Sequence, residues 1–146
     1  MRQTTITMLL IFMVSSGANP QTNTKERPPS ATSLKARIPA PKRSVYGAVR
    51  EGKDWENPYL IAMEDGVEVR KKGDDYAAPV VSVEEVMRFL EDLPKSDWPY
   101  GLVVAVQQQS VCCQYSDGEA RIRANHADLL SRLKRKGIAV SLWPSG

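Results

Sequence analysis

The stretch Trp98-Pro99-Tyr100-Gly101-Leu102-Val103-Val104-Ala105-Val106-Gln107 decides how the chain is organised. Leu102 through Val106 is an unbroken, largely β-branched apolar run, the pattern of a strand buried on both faces of its sheet rather than of an alternating, half-exposed one. It is short for a helix, and Pro99 and Gly101 punctuate its start. Such a strand needs cover on both sides, and an amphipathic stretch lies on either side of it in sequence.

The first of these is residues 83–93. Ser82 and Glu85 have capping-box spacing, and Val81 and Val86 stand where a hydrophobic staple would be. Val83, Val86, Met87, Leu90 and Leu93 share one helical face, with Glu84, Arg88, Glu91 and Asp92 turned outward. Pro94 stops the helix. Met87 and Phe89 belong to core packing, with no ligand role. The second stretch runs from Ser116, where Ser116 and Glu119 repeat the capping spacing, to Lys136. Ile122, Leu129, Leu130 and Leu133 form its stripe, and Gly137 suits the left-handed position after a helix, with Ile138 returning to Leu133. A competing arrangement turns a hairpin at Ser116-Asp117-Gly118 and confines the helix to residues 125–136.

Upstream, Tyr59-Leu60-Ile61-Ala62-Met63 and Val67-Glu68-Val69-Arg70 flank Glu64-Asp65-Gly66, a strong hairpin pattern because Asp and Gly tolerate the positive φ of tight turns. Val67 and Val69 then lie on one face of a half-exposed strand. Residues 138–143 form a last strand. The sequence predicts a small α/β (α+β) domain with a mixed sheet in the order β-β-α-β-α-β and helices packed on the sheet.

Three divisions of the chain follow. Residues 1–18 read as a secretory signal peptide: Arg2 precedes an apolar core at residues 6–14, then Ser16 and Ala18 suit a cleavage site. That core falls short of the roughly 20 residues needed to cross a bilayer. Residues 19–43 read as a disordered, Pro-rich basic linker, carrying six Lys and Arg against Glu26. Residues 44–146 form the single domain, in which 44–57 is approach chain with Val45-Tyr46-Gly47-Ala48-Val49 as a short edge strand. The formal charge of the whole chain is +3. The basic tail exceeds that, so residues 44–146 carry net negative charge and nucleic-acid binding is not expected.

The element order, the Asp-Gly turn, the capped Val-Ser-Val-Glu-Glu-Val helix start and the Arg-Lys-Gly-Ile helix end resemble the periplasmic domain of the ExbD/TolR biopolymer transport family across residues 57–142. The resemblance implies a domain that is not an enzyme, dimerises, and contacts periplasmic partners or peptidoglycan. In that family a transmembrane helix with an essential acidic residue couples to a proton-driven motor. Here residues 6–14 hold no Asp or Glu, and no functional residue is carried across.

The remaining chemistry is sparse. Cys112 and Cys113 are the only cysteines, adjacent rather than in a Cys-x-x-Cys motif, and in an exported protein they form a disulfide, bridge chains or stay free. His126 is the sole histidine and lacks co-ligands at a recognised spacing, so no metal and no cofactor is expected. No pair of carboxylates is marked as acid and base. Trp98, Tyr100 and Trp143 can form a rigid aromatic grip if exposed, clustering if their strands are antiparallel and lying at opposite ends if parallel. The expectation is a periplasmic or secreted, non-enzymatic interaction domain that binds a protein or envelope polymer by strand addition at Val67 and Val69 or through Trp98, Tyr100 and Trp143. It is a possible homodimer, at the membrane only if the N-terminal segment is retained. The alternative is a small thiol-dependent redox enzyme or sensor using Cys112 and Cys113.

Overall fold

The computed structural model describes residues 33–73, 78–110 and 117–145. Strands β1 (Tyr59–Met63), β2 (Gly66–Arg70), β3 (Val80–Val81), β4 (Val103–Gln108) and β5 (Ala139–Leu142) form one mixed sheet in the order β3-β2-β1-β4-β5. β1 and β2 are the expected antiparallel hairpin, with Leu60 opposite Val69 and Ala62 opposite Val67. β4 runs parallel to both β1 and β5. The α+β class stands as read from the sequence. The two-residue β3 was not foreseen, since Val80–Val81 is too short to show a period.

The helices α3 (Val83–Asp92) and α4 (Asp117–Arg135) occupy one face. Ser82 and Glu85 make the reciprocal capping box: the Ser82 hydroxyl accepts from the Glu85 N–H at 3.3 Å, and the Glu85 carboxylate accepts from the Ser82 N–H at 3.0 Å. This satisfies donors that a helix start leaves open. At the far end of α4, Gly137 adopts φ +69°, and the amides of Gly137 and Ile138 donate to Lys134 and Leu133, closing the helix as its sequence predicts. The continuous span from Asp117 favours the long helix over the second hairpin. Ser116, with Cys112 and Cys113, lies outside the described residues, as do residues 1–18.

Beneath the helices Leu60, Val67, Val69, Val104 and Val106 join Val86, Leu90, Leu129 and Leu133 in the main core. The opposite face carries Val103 and Ala105, which sit under Trp55 and Tyr100 with Tyr46, Val49, Tyr59, Ala139 and Trp143 around them. β4 is thus buried on both faces, but only one cover is helical. The other is an aromatic layer supplied largely by residues 46–59.

The N-terminal part of the described chain is arranged differently from the expectation in two places. The chain expected to be solvated linker as far as residue 43 is already part of the domain at α1 (Leu34–Arg37), because Leu34 and Ile38, four residues apart, both insert into the main core. Residues 43–46 form a helical turn, α2 (Arg43–Tyr46), in place of the expected edge strand. Between them the chain crosses the start of β4, where Leu102 donates to the Pro39 carbonyl and Lys42 donates to that of Tyr100.

Asn57 ties the layers together. Its side chain is 1% exposed; the amide donates to the Gly101 and Val103 carbonyls at 2.8 and 2.7 Å, and its oxygen accepts from the Tyr100 N–H at 2.9 Å. Replacing Asn57 with Ala leaves buried backbone groups without partners, at a cost of about 2–3 kcal/mol. Urea unfolding of Asn57→Ala measures this, and a loss below about 0.5 kcal/mol contradicts the clamp.

Candidate binding surface

Among the described residues β5 is the longer of the two edge strands, since β3, at the other edge, has two residues. The amides of Ala139 and Trp143 donate inward to Leu102 and Val106. Because alternate residues of a strand direct their N–H and C=O to opposite sides, the main-chain groups of Val140 and Leu142 point away from β4. β5 carries no charge and no proline to blunt it. Leu142 is 65% exposed, and Val140 is half-buried at the margin of the main core. Beyond Leu142 a shallow groove of about 300 Å³ runs between α2 and the strand, lined by Arg43, Tyr46, Val49, Ser141, Leu142 and Trp143.

The surface expected from sequence is placed differently. Val67 and Val69 are fully buried, because β2 lies between β1 and β3 and turns these side chains under the helices. They offer no edge. Trp98 is 2% exposed in the main core, and its indole N–H has no hydrogen-bond partner among the described residues. It closes the core rather than gripping a ligand. Tyr100 is buried too, and its hydroxyl donates to the Asp54 carbonyl. Only Trp143 of these three aromatics is partly accessible.

The parallel arrangement of β4 and β5 was expected to keep the two ends apart, yet Tyr100 and Trp143 both meet Trp55, at ring-centroid distances of 5.1 and 5.9 Å. Trp55 spans the gap, and its indole N–H donates to the Pro58 carbonyl. Trp55 was missed because residues 44–57 show no period, and Tyr59 was read only as a strand residue; an aromatic within three residues of an Asn-Pro pair was the one available cue.

The same face opens into a larger cleft of about 640 Å³ floored by Tyr59, Trp143 and Gln107 and rimmed by Arg50, Lys53, Arg70 and Lys72. Burial pushes the Tyr59 phenol above its ordinary pKa, and the hydroxyl donates to Gln107. Three of the rim cations are matched by carboxylates, Arg70 by Glu68 and Lys53 by Glu51, each at 2.7 Å, and Lys72 by Glu56, while Arg50 donates to the Gly47 and Val49 carbonyls. Among the described residues no group of three or more His, Cys, Asp or Glu could hold a metal. No helix among them is long and apolar enough to cross a membrane.

His126 lies on α4, half-buried, with Nδ1 2.9 Å from the Gln108 side-chain nitrogen. In the neutral ring Nδ1 accepts from that amide, and burial holds the pKa below its ordinary value of 6.5. No family model, curated protein or solved structure matches the chain.

The His126 shift has a pH consequence. The unfolded chain binds the proton more readily, so acidification destabilises the fold as pH drops below 6.5, and the effect is complete below the folded-state pKa. An NMR titration places the His126 midpoint below 6.5, and His126→Gln flattens the stability profile over that window. A midpoint at or above 6.5 refutes the assignment.

Proposed function

We propose that the chain is a non-enzymatic interaction module that adds an extended segment of a partner to its sheet at β5. The observation that carries this is the uncharged, unprotected β5 edge with Leu142 exposed beside it. Strand addition derives its attraction from main-chain hydrogen bonds and its selectivity from the side chains on either side of the added strand. The outward groups of Val140 and Leu142 supply the former. The exposed Leu142 favours an apolar residue beside it on the partner strand, and Arg43 and Arg50 in the neighbouring groove favour an acidic one. This keeps the site away from Val67 and Val69 and moves it to the opposite edge.

The wider proposal is that the module acts outside the cytoplasm, in the manner of the ExbD/TolR periplasmic domains its element order resembles. The Arg2, apolar and small-residue pattern of residues 1–18 supports it.

Leu142→Pro tests the edge, because it deletes an outward N–H and leaves the β4 ladder whole. Peptides selected from a displayed random library on the wild-type protein are expected to bind Leu142→Pro about tenfold more weakly. They are also expected to slow hydrogen exchange at Val140 and Leu142. Peptides that bind both proteins equally place recognition elsewhere. Sedimentation equilibrium on the same pair distinguishes self-pairing: a dimer abolished by Leu142→Pro makes the partner strand a second copy.

A further inference from the structure

The two helices run in the same direction, from the C-terminal ends of the strands to the starts of β4 and β5. Both begin with acids, Glu84 and Glu85 on α3 and Asp117 and Glu119 on α4, as the helix dipole favours. α4 ends with Arg132, Lys134 and Arg135. Dipole compensation accounts for cations on α4 alone. It does not account for Arg88, on α3, which shares a groove of about 260 Å³ with Arg132, Arg135 and Lys136 around Met87. Nor does it account for Lys35, whose side chain comes within 3.8 Å of the position a Cβ would take on Gly137.

Arg88, Arg132, Arg135 and Lys136 thus share one corner, with Lys134 beside them in sequence at the end of α4 and Lys35 close to Gly137. The carboxylates there are Glu84 and Glu91 in the groove, Asp128, and Asp92 at the end of α3. Glu91 pairs with Lys136 at 2.7 Å and Asp128 with Arg132 at 3.0 Å. The pairs that exist are exposed, and such pairs contribute little and exchange readily for other anions.

Residues 33–37 lie against this corner, with the Arg37 guanidinium donating to the Glu91 and Leu93 carbonyls. The preceding residues, which carry the apolar run at 6–14 and the further cations Lys25 and Arg27, thus join the domain at its basic corner.

We propose that this corner, around Lys35, Arg88, Lys134, Arg135 and Lys136, docks on an anionic lipid surface. Basic side chains near such a surface are attracted by its negative potential over about a Debye length. Seated in that way, the domain keeps β5 at its flank.

Co-sedimentation of the full chain with phosphatidylcholine vesicles, with and without about 30 mol% phosphatidylglycerol, tests the proposal at about 0.1 M salt. The wild type is expected to favour the anionic vesicles, and about 0.5 M salt to erase the preference. Lys134→Glu/Arg135→Glu, both exposed, should cut the preference about tenfold or more, with Lys134→Gln/Arg135→Gln in between. Any contribution of residues 6–14 to binding is common to all variants and appears with neutral vesicles. Lys25→Glu/Arg27→Glu should have the smaller effect. The proposal is overturned by absence of preference, by a preference that only the Lys25→Glu/Arg27→Glu change removes, or by binding of soluble heparin without binding of anionic vesicles.

Discussion

β4 has no face to give to water. Val104 and Val106 point into the helical core, while Val103 and Ala105 point into the aromatic layer, and all four are fully buried. A central strand of this kind forces the rest of the chain to supply two covers. α3 and α4 provide one. The other comes from residues 46–59, which wrap back over the sheet and set Trp55 between Tyr100 and Trp143. Asn57 makes that wrap compatible with burial, because its carboxamide satisfies three main-chain groups where the chain reaches β4.

The two covers account for where the surface is left open. Residues 33–59 are used across the start of β4 and the aromatic face, and both long helices lie over the opposite face, so among the described residues no strand pairs with the outer edge of β5. An uncovered, uncharged edge invites another strand. The same geometry explains the charge distribution. Parallel helices each place acids at the start and, in α4, bases at the end, and the N-terminal residues meet them at the basic end. Edge and basic corner are thus separate products of one packing solution.

Much of the local structure was legible. The hairpin at Glu64-Asp65-Gly66, the Ser82 capping box and the Gly137 helix end are decided within a few residues, by turn conformation and by hydrogen bonds that helix termini require. The exposed surface was not. Val67 and Val69 alternate with Glu68 and Arg70 as a half-exposed strand does, but alternation reports only that one face is buried, not whether the strand lies at an edge. Leu34 and Ile38 sit among prolines and basic residues whose composition speaks for solvent, and two apolar side chains four apart are too few to set against it.

By itself, then, the sequence determined the elements: the doubly buried strand, two amphipathic helices with their caps, a tight hairpin, and the acidic and basic ends of the long helix. These follow from periodicity and local hydrogen bonding. Only the tertiary structure decided strand order, and with it that β5 rather than β2 is open, that Trp98 is core, and that Trp55 completes the second cover. Each of those depends on contacts between residues tens of positions apart, where burial is set by what packs on a face and not by the residues of the face alone.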